Sequence, residues 1–192
     1  MAIGAAIRRH PGRAAAVAAA LVGIAAFAIY WFGPQYLFID RRVDEARPGA
    51  GAAPAADSPA ATGGQGMGEA GEGAPTGTVT LAVGEFRGLE HASSGIALVL
   101  ELPDGARFLR SEDLDTSNGP DLRVYLSDAP ASDDWYVYDD GEFVDLGSLK
   151  GNMGSSNYEI PSEVDLSKFE SAVVWCRRFS VGFAVAPLLP AS

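Results

Sequence analysis

The sequence predicts an all-β domain, a β-sandwich or barrel-like fold, preceded by one transmembrane helix and a disordered linker. Three observations predict it. A charge-free apolar run occupies residues 14–32. An Ala/Gly/Pro-rich stretch follows at residues 47–77. From Thr78 onward, short β-type runs alternate with turn residues at roughly ten-residue spacing, the pattern of a sandwich or barrel.

Residues 14–32, as a helix, span about 28 Å, close to the thickness of a hydrocarbon core. Arg8, Arg9 and Arg13 precede the run, so the positive-inside rule leaves residues 1–13 as a short cytoplasmic tail and the rest outside. Tyr30, Trp31, Phe32 and Tyr36 gather at the far end, where aromatic rings favour the headgroup layer. Gly33-Pro34 ends the helix and opens a juxtamembrane segment, 33–46. A cleaved signal peptide would want a shorter apolar run followed by a small-residue site, and this run ends in bulky aromatics.

In the 47–77 stretch all but six residues are Ala, Gly, Pro, Ser or Thr. Such a segment cannot bury enough apolar surface to offset the entropy of ordering it, so it reads as a flexible linker. Gly66, Gly68 and Gly71 spell a G-x-G-x-x-G pattern there. A dinucleotide site needs a strand before it and a helix after it, and neither is predicted.

The folded part, residues 78–189, divides into candidate strands at Thr78–Phe86, Gly95–Leu102, Ala106–Arg110, Leu122–Ser127, Phe143–Leu146, Asn157–Ile160, Ala172–Cys176 and Phe179–Val185. Ile96, Leu98, Leu100 and Leu102 share one face at period two. Pro103-Asp104-Gly105 predicts a tight turn joining the second and third strands. Leu122, Val124 and Leu126 point inward, with Arg123 and Tyr125 outward. Asp165 is placed to cap a short helical turn. In the last hairpin, an unbroken register puts Val173, Trp175, Phe179, Val181, Phe183 and Val185 in the core. Cys176 then lies on a face of small residues beside Gly182 and Ala184; a bulge at Arg177-Arg178 would scramble that assignment.

The net charge of −11 resides in residues 78–192, because residues 1–77 carry six basic and six acidic groups. An acidic outer domain argues against nucleic-acid binding, which needs a basic face. The single cysteine, Cys176, excludes an intramolecular disulfide and any Cys-x-x-Cys pair. It reads as a buried small hydrophobe, as a redox thiol or metal ligand activated by Arg177 and Arg178, or as half of an intermolecular disulfide. The two histidines are His10, on the cytoplasmic flank, and His91. A His91–Cys176 pair would suit copper or haem iron. No Gly-x-Ser-x-Gly, His-Glu-x-x-His or Walker sequence occurs. Asn118-Gly119-Pro120-Asp121 is a turn. The acidic stretch around Trp135, Tyr136 and Tyr138 lacks calcium-loop spacing and reads as a solvated aromatic loop, a candidate protein- or carbohydrate-binding element.

Several segments, in order, resemble the DM-thirteen family. They are Gly84-Glu-Phe86, His91 with Ser94-Gly95, Gly119-Pro-Asp-Leu-Arg-Val-Tyr-Leu-Ser127, Asp145-Leu-Gly147 and Leu149-Lys-Gly-Asn152. Tyr158-Glu-Ile-Pro161 and Val174-Trp-Cys176 through Ala186-Pro-Leu188 complete the set. The stretch Met153-Gly-Ser-Ser156 departs from the glutamine-bearing loop expected there. The resemblance implies an extracytoplasmic β-sandwich-like fold and electron transfer, with Cys176 as the redox residue. On that reading His91 is a second ligand, and Asp121, Lys150 and Tyr158 support the site. The cofactor stays open between haem and copper. The partners are the lipid bilayer, through residues 14–32, and a redox protein, on the outer face of a bacterial plasma membrane. The alternative is a non-catalytic binding or adhesion module of the cell envelope using the Trp135–Tyr138 loop.

Overall fold

The computed structural model describes residues 11–33, 39–49, 77–89 and 91–191. His10, the G-x-G-x-x-G glycines and nearly all of the predicted linker lie outside the described residues. Helix α1, Pro11–Phe32, is long and apolar enough to cross a membrane, a property it shares with signal sequences. Its large side chains, Val17, Leu21, Ile24 and Phe27 among them, are exposed. Gly33 ends it in the left-handed conformation (φ 58°) and donates its N–H to the Ile29 carbonyl at 3.1 Å, a glycine C-cap.

Two sheets form the domain. The first runs β1 (Arg42–Asp44), β8 (Met153–Ile160), β5 (Arg107–Asp115), β4 (Ser94–Glu101), β2 (Val79–Glu85) and β11 (Leu189–Pro190) in spatial order. The second runs β3 (Arg87–Gly88), β10 (Val181–Pro187), β9 (Ser171–Cys176), β6 (Leu122–Ser127) and β7 (Phe143–Ser148). The predicted hairpin is present: Gly105, at φ 84°, donates to the Leu102 carbonyl at 2.9 Å between β4 and β5. Asp165 caps the 3-10 turn Leu166–Lys168 by accepting from the Ser167 N–H at 3.1 Å.

The core between the sheets gathers Ala97, Val99, Leu109, Leu122, Val124, Leu126, Tyr158, Val174, Cys176 and Phe183. One face assignment, that of the last hairpin, differs from the sequence reading, while the face shared by Leu98 and Leu100 is the one away from the inner core. On β4 the inner face is Ala97 and Val99, while Leu98 and Leu100 are buried on the opposite side. On the last hairpin the register shifts between Gly182 and Ala184, so Phe183 and Ala184 both join the inner core. On β9, Ala172, Val174 and Cys176 turn inward opposite Leu126, Val124 and Leu122 of β6, so Val173 and Trp175 form a second cluster on the outer face with Val185, Tyr125 and Tyr138. Cys176 belongs to the main core rather than to a face of small residues. The shift lies at Phe183, not at the arginines, because a bulge places two consecutive side chains on one side.

The segment after α1 is part of the domain. β1 pairs in parallel with β8, Arg42 opposite Met153 and Asp44 opposite Ser155. Glu45 and Arg47 continue this strap across the first sheet. Residues 33–38 separate the end of α1 at Phe32 from Ile39, the first residue of the strap.

Candidate functional site

Cys176 ends β9, between Leu122 of β6 and Val181 of β10, and is 0% exposed. Burial pushes its thiol above the ordinary range, because a thiolate there would lose its hydration. The backbone N–H groups of Phe179, Arg178 and Asp121 pull the other way without overcoming burial. The expected activation by two arginines is corrected here. Arg177 turns outward and donates through Nε to Asp121 Oδ2 at 3.0 Å. Arg178 donates through Nη1 to the carbonyls of Tyr30 and Trp31, both at 3.0 Å. Neither arginine is among the groups that lower the thiol through its charge.

Asp121 is the predicted supporting residue that meets Cys176. Its carbonyl accepts from the Arg177 N–H at 3.0 Å, closing β6 onto the start of the hairpin turn. It also lines a cavity of about 240 Å³ with Asn118, Ser148, Leu149, Asn152 and Arg41. Asn152, 2% exposed, holds this end of the domain together. Its Nδ2 donates to Thr116 O and Asp40 Oδ1, both at 2.9 Å, and its Oδ1 accepts from the Arg41 N–H at 2.7 Å. Sequence reasoning treated Asn152 only as part of a matching segment. Its signal was an amide between glycine-bearing loops, able to donate and accept at once.

Lys150 and Tyr158 come together. The Lys150 ammonium donates to both Glu45 oxygens at 2.8 and 3.0 Å and to Asn157 O at 2.7 Å, and it lies 5.4 Å from the Tyr158 ring centroid. Tyr158 shares the inner core with Cys176, and its hydroxyl accepts from the Lys150 N–H at 3.0 Å. Burial raises its phenol pKa. These residues lock the strap to β8.

His91 stands exposed on the turn after β3, its ring edge-on to Phe183 at 6.4 Å. Cys176 is enclosed among apolar side chains. Among the described residues no group of three or more His, Cys, Asp or Glu side chains is arranged to hold a metal ion. The two candidate ligands thus differ in setting, an exposed imidazole and an enclosed thiol.

The aromatic loop is a cover rather than a display. Tyr138 is fully buried, its hydroxyl donating to Ser132 O at 2.9 Å and accepting from the Ser132 N–H at 3.0 Å. Its ring meets Trp175 edge-on, and the Trp135 carbonyl accepts from the Gly182 N–H at 2.7 Å. Of the three aromatics only Tyr136 is strongly exposed, at 61%. The outer face of the second sheet carries Val173, Trp175 and Val185, which this loop covers together with Leu89 and Tyr125.

Fold and site together define a two-sheet β-sandwich with one enclosed thiol at a hairpin end and an apolar helix before it. The family model described as Electron transfer DM13 matches residues 85–188, more than half of the chain, and the chain belongs to that family. Searches of curated proteins and of solved structures returned no match.

Proposed function

We propose that the protein is a membrane-tethered, extracytoplasmic electron-transfer module centred on Cys176. The observation that carries the reading is the setting of the sulfur, fully enclosed at the end of β9 and at the base of the hairpin turn, where burial holds the thiol protonated. The family description points to the same chemistry. At rest the thiol is protonated and shielded, so it does not react indiscriminately. When the 177–180 turn opens, water replaces the apolar cover, and the burial that kept the thiol protonated is lifted, so the thiolate becomes accessible. That thiolate attacks one sulfur of a partner disulfide. The S–S bond breaks, a mixed disulfide forms at Cys176, and the leaving thiolate takes up the proton that Cys176 released. Asp121 closes the turn. Lys150 and Tyr158 keep β8 and the strap in place. His91 borders the core through Phe183. Helix α1 is the anchor, with Arg8, Arg9 and Arg13 on the cytoplasmic side and the sandwich outside.

An aromatic disulfide added to the reduced full chain in nanodiscs, with adducts followed by mass spectrometry, tests this reading. It expects a slow adduct at Cys176 in the folded chain, at a rate set by turn opening. An adduct that forms only after denaturation would sink it.

A second reading, a non-catalytic binding module, is favoured by one observation. A groove of about 570 Å³ lies against the last strand, lined by Leu81, Val99, Leu166, Phe169, Leu188 and Pro190. Its walls suit an apolar ligand segment.

A further inference from the structure

The β9–β10 hairpin and the end of α1 form one contact. Arg178 donates to the last-turn carbonyls of Tyr30 and Trp31, where a helix has unsatisfied acceptors and a negative dipole end. Its guanidinium lies 5.8 and 5.7 Å from the centroids of those two rings. Phe179 stacks on Phe32 at 6.3 Å. Phe179 is nevertheless 39% exposed, and Tyr30, Trp31 and Phe32 are 72%, 44% and 61% exposed. The contact thus leaves a continuous aromatic surface uncovered, rimmed by Arg177, whose side chain stays 56% exposed while paired with Asp121.

The direction of the chain agrees. Residues 39–41 bind Asn118 and Asn152 at this same end, and β1 then runs parallel to β8 away from the helix. The turns at Pro103–Gly105 and at Pro161–Asp165 lie at the opposite end of the sandwich, because Arg107 of β5 pairs with Ile160 of β8.

We infer that the 177–180 hairpin turn is a second membrane contact, seated in the headgroup layer of a phospholipid bilayer beside the end of α1. This rests on reading α1 as membrane-spanning. A side chain bonded to the carbonyls of Tyr30 and Trp31 shares their depth, and that depth is the headgroup layer when residues 14–32 cross the hydrocarbon. Aromatic rings with a polar rim suit this layer. Arg177 and Arg178 meet lipid phosphate. The domain is therefore fixed upright on the bilayer, with Cys176, the residue before the turn, at its membrane end.

The test uses the full chain in phosphatidylcholine–phosphatidylglycerol vesicles. A bimane label is attached through Phe179→Cys, Glu163→Cys or Ile29→Cys, each combined with Cys176→Ser, and quenched by lipids spin-labelled on the headgroup or in the acyl chain. Headgroup quenching at position 179 about threefold or more above that at position 163 is expected for an interfacial element. Equal, weak quenching at 179 and 163, with strong acyl-chain quenching at 29, overturns the proposal while leaving the anchor intact. Weak quenching at all three positions overturns the anchor and the proposal together. Amide exchange of the unsubstituted chain in nanodiscs gives an independent result free of folding defects. Relative to intrinsic rates, residues 177–180 exchange more slowly than the Pro103–Gly105 turn if the hairpin is seated, and no more slowly if it is not.

Discussion

Glu112 joins two parts of the chain that are distant in sequence, the strap at Arg47 and its own strand β5 at Arg110, and its removal separates a buried charge from its partner. Its Oε1 accepts from Arg110 Nε at 2.8 Å and from Arg47 at 2.7 and 3.0 Å. The two arginines are not equivalent. Arg110 is 6% exposed as a residue, whereas the Arg47 side chain is 22% exposed. Glu112→Ala leaves Arg110 enclosed with only neutral acceptors, Glu45 O at 3.0 Å and Asn157 Oδ1 at 2.7 Å. Losing the charged partner of an enclosed guanidinium costs about 2–3 kcal/mol. Arg47→Ala removes the outer partner, which water can replace around Glu112, and costs about 1 kcal/mol or less. At about 4 °C per kcal/mol, the two variants lower the midpoint of thermal unfolding by about 10 °C and about 4 °C. The assay is thermal unfolding of the detergent-solubilised full chain, followed by tryptophan fluorescence. Equal losses in the two variants would refute the idea that burial of Arg110 decides the cost. The acid limb gives a second check. Burial raises the Glu112 pKa, but the hydrogen bonds from Arg110 and Arg47 outweigh it and leave it below its ordinary 4.5. Its contribution to stability is therefore complete above pH 4.5 and lost as pH falls through the lower folded value. Glu112→Ala flattens that part of the profile.

Three further outcomes follow from the structure. Because burial raises the Cys176 pKa, the unfolded thiol ionises first, so stability declines as pH rises past the ordinary value of 9.0; Cys176→Ala removes that decline in an alkaline denaturation series. Gly84→Ala would set a Cβ 1.7 Å from the Pro187 carbonyl oxygen, a backbone atom that cannot step aside, so β2 and the C-terminal end of β10 are forced apart; the variant fails to give a sharp unfolding transition in calorimetry. Tyr138→Phe loses both hydrogen bonds to Ser132 but keeps the ring on Trp175, costing about 1–2 kcal/mol; amide exchange accelerates in residues 129–140 and not in β9, and uniform acceleration would contradict the view of this loop as a separate cover.

The strand plan was legible because period-two apolar runs and turn residues are local signals. Leu122–Ser127 is a strand over the expected residues, and the β4–β5 turn falls on Pro103-Asp104-Gly105. The outward assignment of Tyr125 was right in direction and wrong in consequence. It lies on the outer face but is 3% exposed, stacked on Phe143 and Trp175. Period two reports which side of a sheet a residue takes, and it is silent on what covers that side. For the same reason the aromatic stretch at 135–138 read as a solvated loop. The site was half legible. Cys176 stood out as the single cysteine, and Asp121 as part of a turn. Whether they meet depends on β6 pairing with β9 across more than fifty residues.

By itself the sequence determined an apolar N-terminal segment of membrane-crossing length, an all-β domain from about residue 78 and one thiol without an intramolecular partner. Those are properties of composition and short-range pattern. Only the tertiary structure decided that residues 39–47 return onto β8, that pairing with β6 turns the Cys176 face of β9 into the main core, and that Arg177 and Arg178 serve Asp121 and the helix end. Each depends on residues far apart in the chain. The free energy of such contacts comes from burying surface and pairing charges that become neighbours only once both sheets have formed.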